Sequence, residues 1–565
     1  MKKIKFNSSK FFIVFFLSAI FLISIFPIFE DGLIYQYDYQ DLDYHLLRIE
    51  GIKNEIMHGN FPPYIHSMFL NGYGYGNGIF YPEILLYIPA LFRVFGLSVS
   101  VAYKIFIVVI TLLTLIASYF SIKFISKSRY VSLCFTALYL LSQYRLSNVF
   151  VRAAVGEFCA FIFIPIIAAG IYDFLNNNFK NTWILGLGFL GLFLTHTITF
   201  AIALVLMLLV LVFNWRYVFQ NKYLFLKLLK TAGIVILLTC FYWGPMLEQC
   251  FSGKFAFNEP WVEYFGILPI SVNRLFDNTY YASLGLPLLL LPIIRIFITR
   301  HSRNKLTSKN VNLFGMADKF LTIGLILVFM STYLFPWQLL KFKPFYYIQF
   351  PWRLFSFASL FLSAAIAIYI HLFASGKQRS IALIAIFLIS TSYAANFLNP
   401  MLSTKKYTDL DNSVDDYFQK SENTFAIGGY EWLPLGTDVS KLNDPYHALT
   451  ETGETVQVYK NGTTVVLKAD NTHSFYDIPL LYYKGYTAEL TDENGNIHKM
   501  KVEKSPNNNL VRVYNNEKEA GKVIIAYSGT IIQKASICLS LLSLFSLFIV
   551  LIRKKKYLLV EQKAQ

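Results

Sequence analysis

The side chains best suited to chemistry gather early in the chain. Asp38, Asp41, Asp43, His45, Arg48, Glu50, His58 and His66 follow one another closely, just after an apolar run over Phe11–Phe29. Within Asp41-Leu42-Asp43-Tyr44-His45, a carboxylate can take a proton from a hydroxyl. Two carboxylates can also hold a divalent cation such as Mg or Mn through oxygen. A solvated loop with incidental acids is the simpler explanation of the pair taken alone. Next comes Asn71-Gly72-Tyr73-Gly74-Tyr75-Gly76-Asn77-Gly78. It lacks the Gly-Lys-Ser/Thr of a phosphate loop. Alternating Gly and Tyr predicts a tight loop whose rings, Tyr73 and Tyr75, either stack on a sugar or anchor at a membrane interface.

Further ionisable groups stand at the ends of apolar runs. Arg145 and Arg152 bracket one such end, and Glu157 falls about one helical turn inside the run Ala153–Phe174. Desolvation of an acid at that depth must be offset by a partner or a cavity. Arg152 is either that partner or a ligand for a lipid phosphate. His196, in Leu194-Thr195-His196-Thr197, falls at the tip of a helical hairpin; a lone His is more simply a structural residue. Gln349-Phe350-Pro351-Trp352-Arg353 sets a cation beside aromatics. Interface anchoring explains it, yet Arg is also the natural two-pronged ligand for phosphate. Convergence of these groups on one membrane face is what carries the argument.

The elements that must position them are membrane helices. The 565 residues are 55% apolar, 18% aromatic and only 15% charged, with mean hydropathy +0.47. An ordinary soluble domain is roughly one quarter charged. The net charge of +16 divides unevenly: residues 401–530 hold 13 basic and 18 acidic residues, a net of −5, leaving +21 for the rest. Basic clusters at the ends of apolar runs orient the spans by the positive-inside bias. No basic stripe on a soluble face points to nucleic acid.

Read this way, Phe11–Phe29 is an uncleaved first span leaving the cytoplasm, and residues 30–100 are extracytoplasmic. Ile84–Phe95, interrupted by Pro89 and Arg93, fits an interfacial helix better than a span. Spans are then expected at Val101–Ile125, Val131–Val149, Ala153–Phe174, two short helices within Trp183–Phe213, Leu228–Leu247, Leu284–Ile298, Phe320–Phe335, Leu354–Phe373, Ile381–Phe397 and Ile532–Ile552. The expected fold is mainly α: a polytopic membrane protein of about twelve transmembrane helices, both termini cytoplasmic, with an extracytoplasmic β-rich domain. Its parts are a membrane domain over 1–399 with a catalytic first external loop at 30–100, the β-rich domain over 400–530, and a final helix with a basic tail over 531–565.

Asn461-Gly462 and Asn494-Gly495, each between alternating runs, predict hairpins in that domain. Cys134, Cys159, Cys240 and Cys538 lie inside apolar runs and Cys250 near the end of one. This pattern predicts neither a disulfide framework nor a zinc site.

The ordered set of landmarks resembles bacterial multi-span membrane proteins of the GT-C glycosyltransferase class, in particular the YfhO-like proteins and those labelled 6-pyruvoyl-tetrahydropterin synthase-related. The segments that resemble it are Asp41–Ile49, Gly59-Asn60-Phe61-Pro62, Asn71–Tyr75, Arg152-Ala153-Ala154-Val155-Gly156-Glu157, Thr195-His196, Gln349–Arg353 and Tyr430-Glu431-Trp432-Leu433-Pro434. The resemblance implies transfer of a sugar from a polyprenyl-phosphate donor to an envelope glycopolymer or lipid on the outer face of the plasma membrane, with inversion. It implies Asp41 as the base, Asp43 as second choice, and Arg152 and Arg353 on the lipid phosphate. His45, Arg48, Tyr73, Tyr75, Glu157, His196 and Trp352 would line the pocket. Some members of the wider class need a divalent metal and others do not. Two other classes stay open: a transporter or flippase, marked by ionisable groups in discontinuous helices near the midplane, and a non-enzymatic envelope-assembly protein with dispensable first-loop acids.

Overall fold

The computed structural model describes residues 8–35, 41–259, 266–299, 303–304, 306–340, 346–404, 406–408, 424–425 and 427–564. Asp38, Arg300 and Lys305 lie outside them. The chain forms two compact units, each assembled from separate stretches: Met1–His45, Ser98–Thr231 and Trp261–Asn412 in the first, Leu46–Leu97, Ala232–Pro260 and Ser413–Gln565 in the second.

The first unit is a helical bundle with one small sheet, β1 (Leu33–Tyr35) paired antiparallel with β2 (Lys406–Thr408). Its long helices begin and end where the sequence supplies caps. Ser98 accepts from the Val101 amide to start Val99–Ser126, and Lys127 closes that helix in the left-handed conformation. Ser128 then caps Arg129–Leu140. Taking both units together, six helices are long and apolar enough to cross a bilayer: Val99–Ser126, Val155–Asn176, Asn310–Ser331, Pro351–Phe373, Lys377–Pro400 and Ile531–Arg553. A multi-pass membrane protein is the consistent reading.

The expectation of about twelve spans meets shorter pieces elsewhere. Lys10–Ser24, Thr182–Phe193, Thr197–Phe213 and Leu286–Phe297 are apolar but short. Lys222–Leu238 and Cys240–Ser252 would count as one span only across a bend of 72°. Thr239 sits at that bend and returns its hydroxyl to the Val235 carbonyl, 2.8 Å away, which competes with the helix ladder. Val131–Val149 is corrected outright. It is two helices, Arg129–Leu140 and Gln143–Phe150, of 12 and 8 residues. The break is held by side chains rather than by Gly or Pro: Arg145 Nη1 donates to the Leu140 carbonyl freed there (3.0 Å), and Gln143 donates to the Tyr280 carbonyl (3.0 Å).

The second unit carries the β-rich domain, which closes into an eight-stranded antiparallel barrel. Its strands are β3 (His447–Thr450), β4 (Thr455–Asn461), β5 (Thr464–Ala469), β6 (Phe475–Leu481), β7 (Tyr486–Asp492), β8 (Ile497–Lys504), β9 (Leu510–Tyr514) and β10 (Gly521–Tyr527). Their order around the barrel is β10-β5-β4-β3-β6-β9-β8-β7, closed by β7 on β10. Alternation drives it: Val465 and Leu467 on β5, Val511 and Val513 on β9, and Val523 and Ile525 on β10 meet inside, while Lys468 on β5 and Lys522 on β10 face out. Both expected hairpins form. Asn461 pairs with Thr464, so Gly462-Thr463 makes the first turn, with Gly462 at φ +59°. Thr491 pairs with Ile497 across the second.

The final helix, Ile531–Ala564, packs on Cys240–Ser252, where Gly244 leaves room for it. A Cβ there would come within 2.3 Å of Ser536 Oγ. Ser540 Oγ locks the seam, accepting from the Phe241 amide (2.9 Å) and donating to the Leu237 carbonyl (3.0 Å). Gly244→Leu should therefore overpack the seam and destabilise the protein by about 1–3 kcal/mol, read as a lowered melting temperature in detergent.

Candidate functional site

One polar cluster sits within the first unit. Glu157, in the first turn of Val155–Asn176, is its centre and is 2% exposed. Its Oε1 accepts from Arg152 Nη1 and Nη2, both at 3.2 Å, and from Arg353 Nε at 3.3 Å. Its Oε2 accepts from the Tyr144 hydroxyl at 2.5 Å. Asn148 Oδ1 takes a further bond from Arg152 Nη1 (2.8 Å), while Gln349 Oε1 takes one from Arg353 Nη1 (3.0 Å). Arg152 is buried and Arg353 nearly so.

Asp41 is brought alongside by the backbone, its amide donating to the Arg152 carbonyl at 3.0 Å. It stands just before the helix Leu42–Met57, and its own carbonyl accepts the His45 amide (3.0 Å). The Asp41 side chain keeps an open face to solvent, with protein walling its other sides. That crowding raises its pKa above the ordinary 3.8. Arg152 and Arg353 pull it back, and Glu157 adds to the rise. The Tyr103 hydroxyl, buried and without a hydrogen-bond partner among the described residues, lies within electrostatic range of the same carboxylate. A shallow pocket lined by Pro27, Leu33, Leu42, Tyr103, Phe150 and Ala153 lies beside it.

His196 joins through its charge environment, which includes Glu157, Arg353 and Arg152. Its Nδ1 caps Thr197–Phe213, 3.4 Å from the Thr199 amide and 2.7 Å from the Thr199 hydroxyl. Of the other expected site residues, Asp43 is half-buried in the first helical turn, and His45 is buried with its ring 5.2 Å from Tyr44. Trp352 stacks on Phe350 (4.5 Å) and meets Tyr281 edge-on (6.1 Å). Tyr144, Asn148 and Gln349 were not among the expected residues. The signal for the first two was the polar interruption Ser142-Gln143-Tyr144-Arg145 within an apolar run.

Arg48, Tyr73 and Tyr75 belong to the second unit and do other work there. Arg48 is 1% exposed; its Nε donates to Glu83 Oε1 (3.1 Å), its Nη2 to the Pro82 carbonyl (2.9 Å), and its guanidinium lies over the Tyr81 ring. His66 Nε2 and Asn77 Nδ2 complete the shell of Glu83 at 3.0 and 2.5 Å. The Gly–Tyr loop is fastened to the barrel. Tyr73 donates its hydroxyl to the Asp444 carbonyl (2.7 Å), and the Tyr75 hydroxyl accepts the Trp432 amide (3.0 Å). Lys460 donates to the Gly72 and Pro479 carbonyls, 2.8 and 2.7 Å away, and burial pushes its pKa down to about 7. Tyr75 is fully buried and Tyr73 nearly so; in this arrangement neither ring offers a face for a sugar to stack on.

Among the described residues no three His, Cys, Asp or Glu side chains converge on a point that could hold a metal ion. The charged neighbours of Asp41 are Arg152, Arg353 and Glu157. No protein-family model matches the sequence, and no curated protein matches it closely enough to count as a relative.

Burial alone would raise the Glu83 pKa, but His66 and Arg48 more than offset this and hold it below the usual 4.5. A carboxyl depressed by folding stabilises the fold above its unfolded value, and that contribution is lost as pH falls through the lower folded value. Glu83→Gln should cost about 3–5 kcal/mol, because it leaves Arg48 buried without its counter-ion. It should also flatten the loss of stability that wild type shows on acidification below about pH 4.5, measured by thermal melts across pH.

Proposed function

We propose that the protein is a GT-C-type membrane glycosyltransferase that moves a sugar from a polyprenyl-phosphate donor to an envelope glycopolymer or lipid at the outer face of the bacterial plasma membrane. The observation that carries this reading is Asp41, a solvent-open carboxylate set beside two arginines that share one buried glutamate. In the reaction, the Asp41 carboxylate takes the proton of an acceptor hydroxyl. The hydroxyl oxygen bonds to the anomeric carbon as the bond from that carbon to the phosphate oxygen breaks. The electron pair leaves on the phosphate, and the anomeric centre inverts.

Arg152 and Arg353 are placed to neutralise charge growing on that leaving group. Glu157 occupies only part of each guanidinium: Arg152 Nε and Arg353 Nη2 have no hydrogen bond among the described residues. The apolar pocket beside Tyr103 suits the first segment of a lipid chain.

A second reading, translocation of a lipid-linked substrate, draws on the broken helix at Leu141-Ser142. Arg145 there is fully buried, and its Nη2 donates to Thr111 Oγ1, near the middle of Val99–Ser126. An ionisable group in a discontinuous helix is what transporters place at the bilayer midplane. Proteoliposomes loaded with labelled polyprenyl-phosphate sugar separate the two, since transfer moves label to the acceptor and translocation leaves the donor intact.

Asp41→Asn should lower transfer by about a hundred- to ten-thousand-fold, the usual contribution of a general base, with the melting temperature preserved. Asp43→Asn should leave transfer near wild type. Because Asp41 must be ionised to act, kcat/KM should rise with pH through a limb above the usual Asp value. Arg353→Gln removes a cation that lowers the Asp41 pKa and should move that limb to higher pH. A limb that stays in place after that substitution excludes Asp41 as the base.

A further inference from the structure

The segment 46–97, all of it within the second unit, is built with its polarity reversed. Its only three acids are Glu50, Glu55 and Glu83, and each is buried with partners. Glu50 binds Arg93 through two contacts and Lys53 at 3.2 Å. Glu55 accepts from the Ser67 amide (2.9 Å) and hydroxyl (2.5 Å) and from Asn60 Nδ2 (2.8 Å). Glu83 is held by Arg48, His66 and Asn77. Arg48 and Arg93 are themselves buried by these pairs, and Lys53 is half-buried.

The residues turned outward are Met57, His58, Gly59, Phe61, Ile84, Leu91, Phe95 and Gly96. Only His58 among them is polar. Met57 is 64% exposed, Phe61 71% and Phe95 78%. Phe61 lies 5.8 Å from the Tyr87 ring at the start of the helix Tyr87–Val94, so two of the contributing stretches adjoin in space. That helix turns Pro89, Ala90 and the paired Arg93 inward and Leu91 outward.

A water-facing loop region does the opposite, since Glu, Arg and Lys are almost never fully buried while a surface remains available. Large apolar side chains outside and paired charges inside describe a segment whose solvent is lipid. Chain continuity agrees. Phe95 precedes the span Val99–Ser126 by four residues, a reach of at most about 14 Å. We propose that residues 46–97 lie in the outer interfacial layer of the bilayer, inserting Met57, Phe61, Ile84, Leu91 and Phe95 among the lipids, rather than projecting into water as a soluble loop. The occupant of this surface is phospholipid at the headgroup–acyl boundary, to a depth of about 5–10 Å. The inference does not rest on the transfer reaction.

The test uses the full chain in liposomes, with the accessible thiols removed as Cys250→Ala and Cys538→Ala. An environment-sensitive fluorophore is attached in turn at Met57→Cys, Phe61→Cys and Phe95→Cys, with Asn494→Cys in the exposed barrel turn as the water reference. Insertion predicts blue-shifted emission at the three sites. It also predicts several-fold stronger quenching by nitroxide lipids labelled near the headgroup than by those labelled at the chain end. Emission and aqueous iodide quenching equal to the Asn494 site would overturn the proposal. So would protection from both iodide and lipid nitroxides, which marks a protein partner or a second copy. Should a labelled variant fail to fold, photolabelling of the unsubstituted protein by a lipid with a headgroup diazirine decides the matter. Label on peptides spanning 57–61 and 91–96 supports insertion, and its absence there overturns it.

Discussion

Glu157 is a single buried carboxylate answering two guanidinium groups, and the first unit is arranged around keeping it so. Two arginines brought this close would repel each other and suffer desolvation without it. With it they become a fixed pair of donors joined at one oxygen. Three separate stretches are thereby tied together: the helix that begins at Val155, the turn that carries Arg152, and the 3-10 turn Pro351–Leu354. The break at Leu141-Ser142 serves the same end, because only a short second helix presents Tyr144 and Asn148 to the glutamate. Asp41 needs no side-chain bond to join; its backbone bond to Arg152 sets its position and leaves its carboxylate open.

The second unit applies the same physics with the opposite outcome. Glu83 also gathers several donors, and its surroundings contain the Arg, His and carboxylate mixture usually sought in an active site. Every one of those groups is sealed, and the close approach of His66 to Gly51, where a Cβ would come within 2.3 Å of Nδ1, leaves no room for a ligand. Residue types alone do not separate a reactive cluster from a structural one. Exposure does differ between the two: Asp41 is exposed, whereas Glu83 and its partners are buried.

This explains what the sequence made legible. Long apolar runs ending in basic residues identified Val99–Ser126, Val155–Asn176 and Pro351–Phe373 because burial in lipid demands that pattern over the whole span. Val131–Val149 misled because its interruption is enforced by Arg145 and Gln143 reaching distant carbonyls, a tertiary cause with no Gly or Pro to announce it. The two hairpins were visible in their turn residues. Barrel closure was not, since β3–β6, β6–β9 and β7–β10 pair across long sequence separations. Arg152, Glu157, His196 and Arg353 stood out as ionisable groups at span ends. Arg48, Tyr73 and Tyr75 looked equally reactive, because whether a side chain faces inward is decided by packing.

The second unit joins two surfaces with opposite solvent requirements. On the barrel, the outward positions of β4 and β8 carry Gln457, Tyr459, Lys499 and Lys501, a face made for water. On residues 46–97 the outward positions are apolar. The joint between them has to satisfy both, and it does so with packed aromatic rings. Phe80 stacks on Trp432 at 5.4 Å and meets Phe255 at 4.7 Å, and the Tyr483 hydroxyl donates to the Trp432 carbonyl (3.0 Å). Gly76 lets the Tyr483 ring close onto the loop, where a Cβ would come within 2.6 Å of it. Aromatic side chains that pair an apolar body with a bonded tip are suited to a boundary where one side is wet and the other is not. The Gly–Tyr loop therefore has a mechanical purpose: it fixes a water-facing barrel to a lipid-facing base, and so orients the unit at the membrane surface.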